Sequence, residues 1–109
     1  MDPELWRVER SPQVKTLFGR PLRVLLGTWF ISRDMQPTYL QEAELAMARF
    51  GEAASGVGKE LRAFVDCGML GETGVGRRVY FTPLSSPLWE IYRAMDHVYG
   101  IWVEAELTQ

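Results

Sequence analysis

Apolar residues recur with a helical period along most of this chain. From Gln13 to Ser32, the residues Phe18, Leu22, Leu25 and Trp29 follow one another at spacings of four, three and four, the stripe of a long amphipathic helix. Pro21 falls inside it, where proline either kinks a helix or starts it afresh. After a polar break from Arg33 to Pro37, Leu40, Ala43, Met47 and Phe50 predict a second helix, with Thr38 as its cap and an end near Gly51. On a third helix, at about 100° per residue, Val57, Leu61, Phe64 and Val65 share one side, and Ser55, Lys59, Arg62 and Asp66 the other. A core face is thereby separated from a polar, mostly basic one.

Gly68 supplies a left-handed stop to that helix. The period then turns to that of strands: the segments Met69 to Thr73 and Arg77 to Thr82 flank the turn Gly74-Val75-Gly76, a hairpin with Arg77 and Arg78 at its tip. Pro83 and Pro87 bound a short loop, and Leu88, Ile91, Met95 and Val98 mark the apolar stripe of a last helix that extends toward Glu106. Residues 1–12 lack a period and read as an arm that packs through Leu5 and Trp6. The expected fold is mainly α with a small β-hairpin wing, a single-domain winged helix-turn-helix. Its parts are an N-terminal arm (1–12), the winged helix-turn-helix core (13–85) and a C-terminal dimerisation helix (86–109).

Length and composition narrow the function. A chain of 109 residues, 47% of them hydrophobic, closes one core without disulfides or a structural metal. With Cys67 and His97 as the single cysteine and histidine, neither an internal disulfide nor a zinc finger is assembled, and no metal or other cofactor is expected. Cys67 is expected to be a buried packing thiol and His97 an interface or surface residue. The longest apolar run, Val24 to Ile31, covers about a third of the roughly 20 residues of a membrane span, and the charged first ten residues resemble no secretory leader. A cytoplasmic protein without membrane contact is expected.

Twelve basic residues stand against 14 acidic ones, a net charge of -2 that speaks against nucleic acid as a partner. The charge is unevenly spread, however: residues 55–82 hold four basic and three acidic side chains, residues 83–109 one and four. No Ser-His-Asp order, phosphate-binding loop or paired-carboxylate site can be assembled, so no enzyme is expected.

The segment Ser55 to Thr82 resembles the recognition helix and wing of ArsR-type winged-helix transcriptional regulators. The matching positions are Val57, Leu61 and Phe64 on the helix, then Gly68, Met69 and Leu70, then Gly76, Arg77, Arg78, Val79, Tyr80 and Phe81 along the wing. Leu17 to Leu26 looks like the first core helix of the same family. The thiolate box and the histidine and carboxylate sites of its metal sensors have no counterpart here, which points to a branch that senses no metal. Gly56 and Gly58 stand where the family more often has Thr and Ser, and two helical glycines cost roughly 1 kcal/mol each relative to alanine.

The resemblance implies a sequence-specific DNA-binding regulator, a homodimer acting as a repressor on double-stranded DNA. The helix around 54–67 would enter a major groove roughly 12 Å wide, and the wing at 73–79 would meet the backbone or minor groove. Ser55, Gly56, Lys59, Arg62, Arg77 and Arg78 are the expected DNA contacts, Arg77 ahead of Arg78. Trp89, Tyr92, Tyr99 and Trp102 are expected at a dimer interface or in the pocket of a small-molecule effector. The alternative is a winged-helix module that binds protein instead of DNA, which the negative net charge, Asp66 and the two glycines suit. An enzyme or ligand carrier built on the aromatic last helix has little support.

Overall fold

Pro21 is the first residue of a helix, the position where its missing N–H costs nothing and its fixed φ suits the first turn. It therefore starts a helix and does not kink one. The computed structural model describes residues 18–100 and 102. The expected arm, the start of the expected first helix at residues 13–17 and the end of the last at residues 103–106 lie outside them. Among the described residues the elements are α1 (Pro21–Ser32), β1 (Thr38–Tyr39), α2 (Leu40–Ala48), α3 (Ala54–Asp66), β2 (Leu70–Val75), β3 (Arg78–Pro83) and α4 (Trp89–Tyr99).

α1 is apolar on almost every side, with Leu22, Val24, Leu25, Leu26, Trp29 and Phe30 all buried, the pattern of a central helix. The reason is its position: α2, α3 and α4 all pack against it. Each large side chain buried there contributes about 1.5–3 kcal/mol. The centre is aromatic. Phe30 meets the edge of Trp89 with ring centroids 5.5 Å apart, and Phe64 stacks on the same indole at 5.9 Å.

The chain forms a small antiparallel sheet of order β1-β3-β2. β1 has only two residues, paired as Thr38 with Phe81 and Tyr39 with Tyr80, too few for any alternation to show in the sequence. It exists because β3 offers an open edge. That strand also corrects the role expected of Thr38, because the residue that caps α2 is Tyr39. Standing one position too early, buried Thr38 donates its hydroxyl hydrogen to Glu42 Oε1 at 2.7 Å instead of accepting from a helix amide.

β2 and β3 pair from Leu70 opposite Pro83 to Val75 opposite Arg78. The turn is therefore narrower than expected: Gly74 and Val75 belong to the strand, and only Gly76 and Arg77 remain as the loop. Gly76 has φ +62° whereas Arg77 keeps a negative φ, the signs of a type II′ hairpin turn, which calls for glycine at its first central position. At the other end of β2, α3 closes with Gly68 at φ +76°, its N–H donating to Val65 O and that of Met69 to Phe64 O, each at 2.9 Å. This is a Schellman stop. It leaves Cys67 at the rim of the helix, exposed and not the buried thiol expected.

α4 carries two apolar stripes, and the one buried is not the one that the Leu88-Ile91-Met95-Val98 period singles out. Trp89 and Tyr92 enter the core, while Leu88, Ile91 and Val98 stay exposed. Both stripes have helical spacing. The aromatic one wins because it buries the larger area, about 150–250 Å² per ring, and because the Trp89 Nε1–H finds Met69 O at 3.2 Å.

Candidate nucleic-acid interface

The outward side of α3 is built by exclusion. Val57, Leu61 and Phe64 face the core, so Ser55, Lys59, Arg62 and Asp66 are left exposed on the other side. Neither Lys59 nor Arg62 forms an ion pair among the described residues. At the start of α3, Ala53 caps the helix with backbone alone, so no side chain competes for the first amides. An exposed helix start of this kind favours an anion.

Gly56 and Gly58 point elsewhere. A Cβ on Gly56 would lie 3.2 Å from Leu22 Cδ2, and one on Gly58 would lie 3.5 Å from Leu40 Cδ1. The glycines thus let α3 sit close against α1 and α2. Gly56, expected to touch DNA, faces a neighbouring helix, because its place on the wheel is beside buried Glu60, about 40° away, and well off the line of Arg62.

Glu60 is a residue that sequence reading passed over. It stands within the Val57-Leu61-Phe64 face, and its i+3 distance from Val57 was the available signal. Its carboxylate accepts from Arg23 Nε at 2.9 Å, with the Glu60 side chain 5% exposed and that of Arg23 43%. Hydrogen bonding to Glu60 raises the Arg23 pKa above its ordinary value, against the opposing effect of burial. The acid of α3 is thereby neutralised on the inner side, which leaves the outer side with Lys59 and Arg62 against Asp66.

The two arginines at the hairpin tip differ in their surroundings. Arg77 occupies the turn itself and is exposed. Arg78, the first residue of β3, lays its guanidinium over the Tyr39 ring at 4.3 Å, and the Tyr39 and Tyr80 rings meet edge to face at 5.9 Å. A hydrogen bond to Tyr80 and the proximity of Tyr39 raise its pKa further, so it is held as a cation on the sheet.

The aromatic residues of the C-terminal region are placed inside the chain's own core. Trp89 and Tyr92 are buried on α1 and α3, and the Trp102 Nε1–H donates to Thr28 Oγ1 at 3.0 Å, while that hydroxyl donates to Val24 O at 2.7 Å. Trp102 also meets Phe50 edge to face at 5.0 Å. Tyr99 is half-buried beside them. Trp89, Tyr92 and Trp102 are therefore unavailable as a surface for a second copy, since the core needed their area. Burial also pushes the Tyr92 phenol up to about 12.

No protein-family model, curated protein or solved structure matches the chain. Among the described residues no group of three or more histidine, cysteine, aspartate or glutamate side chains is placed to hold a metal ion, and no helix is long and apolar enough to cross a membrane.

Proposed function

We propose that this chain is a winged helix-turn-helix regulator of the ArsR-like kind that senses no metal, and that it binds double-stranded DNA as a homodimer and represses by occupying its site. α3 is the reading helix: Lys59 and Arg62 contact base edges or phosphates, and Ser55 a phosphate near the helix start. The β2–β3 hairpin is the wing, with Arg77 at its turn reaching backbone or minor groove. The observation that carries this reading is the pair of exposed cations, Lys59 and Arg62, that form no ion pair among the described residues and stand on a helix whose opposite face is core, within the element order α-β-α-α-β-β-α and the strand order β1-β3-β2.

The two copies pair through α4, whose exposed Leu88, Ile91 and Val98 form one apolar stripe; Leu88 and Ile91 also border a cleft against α3, so Val98 is the part of the stripe that the cleft leaves free. Pairing doubles the contacts, which a recognition surface with so small a cationic surplus requires. The experiment is an anisotropy titration of fluorescent genomic DNA fragments at several salt concentrations. Phosphate contacts give a steep negative slope of log affinity against log salt. Binding that is absent at low salt sinks the DNA reading and favours a protein-binding module, for which the same apolar stripe and the net charge of -2 speak.

A further inference from the structure

A cleft of about 340 Å³ opens between the start of α1, the inner side of α3 and the first turns of α4. Its lining is mainly apolar and partly aromatic, with Phe18, Ala63, Phe64, Met69, Ile91 and Tyr92 among the residues that form it. One ion pair interrupts them. Arg23 binds Glu60 through Nε, and the remaining N–H donors of its guanidinium have no hydrogen-bond partner among the described residues. Because Glu60 is almost completely covered and Arg23 is not, an incoming molecule meets the cation of this pair first.

We propose that this cleft binds a planar aromatic carboxylate, with its ring between Phe18, Phe64 and Ile91 and its carboxylate on the outer N–H edge of Arg23. Guanidinium presents parallel donors that match a carboxylate, whereas a ligand ammonium would have to pass Arg23 to reach a buried and already paired Glu60. Phe18 and Ile91 present apolar surface at the mouth, and buried Phe64 and Tyr92, which meet edge to face at 5.5 Å, close the floor beneath an aromatic body. The volume lies at the low end for ligand pockets and suits a molecule of roughly ten to fifteen non-hydrogen atoms.

Glu60, Ala63 and Phe64 belong to α3, so an occupant presses on the helix that carries Lys59 and Arg62 on its other side. That consequence for regulation rests on the DNA reading; the binding site does not.

Cys67, the single cysteine of the chain, lines the cleft and is exposed, which makes it a reporter in the unmodified protein. Its alkylation by iodoacetamide is followed by mass spectrometry with 2-naphthoate, or with the uncharged 2-naphthalenemethanol, as the probe. Naphthoate slows the reaction at least about fivefold, with half of the effect on the order of 1 mM, and the alcohol changes it less than about twofold. Ala63→Trp, which fills the cleft from α3, abolishes the protection while unfolding stays cooperative; Ile91→Trp serves the same purpose from α4 should the first variant not fold. The proposal is overturned if naphthoate gives no protection at about 10 mM, well above the expected constant, or if the alcohol protects equally. It is also overturned if the native thiol does not react at all, since a second copy then already fills the cleft. No DNA is present, so failure here leaves the DNA reading untouched, and failure of the salt titration leaves this site untouched.

Discussion

The ring of Tyr92 lies directly over Gly27, so close that a Cβ at position 27 would overlap its Cδ1, Cε1 and Cγ atoms. Here α1 and α4 meet, and glycine is what allows the approach. Gly27→Ala is expected to destabilise the protein by at least about 2 kcal/mol in urea unfolding, although alanine favours an isolated helix by about 1 kcal/mol. In a Tyr92→Ala background most of that cost disappears, because the overlapping ring is gone. A Gly27→Ala protein as stable as the wild type would rule out this helix contact.

Arg77 and Arg78 are neighbours in different surroundings, one exposed in the turn and the other laid over Tyr39, and substitutions separate them. Arg77→Ala is expected to leave the urea midpoint unchanged and, on the proposed DNA reading, to flatten the slope of log affinity against log salt by about one unit. Arg78→Ala removes the cation that lies over the Tyr39 ring, so its first effect is a lower midpoint. Equal loss of stability in the two variants contradicts this division.

The α4 stripe is tested by Val98→Glu, at a position about half exposed. The wild type is expected to sediment at twice the 12.5 kDa chain mass at micromolar concentration, and the variant as a monomer with an unchanged circular dichroism spectrum. A wild type that is monomeric over the same range removes the stripe as a dimer face.

Burial lifts the Asp96 carboxyl above its ordinary range, only partly opposed by neighbouring His97, and Oδ1 has no hydrogen-bond partner among the described residues. The native state therefore holds this proton more tightly than the unfolded chain. Its contribution is present below the ordinary carboxyl value and is lost as pH rises through the folded one. Asp96→Asn is expected to raise the melting temperature at neutral pH and to leave it unchanged near about pH 3. A gain of equal size at both pH values would show that charge is not the cause.

Much of this architecture is legible along the chain, since helix and hairpin signals are local. The stripe of Val57, Leu61 and Phe64 predicts α3 together with the exposure of Ser55, Lys59 and Arg62, and Gly68 marks its end. Gly76 marks the hairpin turn to within two residues. β1 is not legible, because two residues carry no period and the strand depends on an edge supplied some forty positions later, where Thr38 meets Phe81.

Periodicity and turn chemistry act between near neighbours, so the order of residues along the chain settles the set of elements and the polar side of α3. Which apolar stripe of α4 is core, and that Gly56 packs against a neighbouring helix, follow instead from long-range packing. It also paired Glu60 with Arg23 under α3 and freed Cys67 at the mouth of a cleft. Each of those outcomes is a competition among distant groups for one limited interior, and Trp89 and Tyr92, having more area to bury than Leu88 and Ile91, took it.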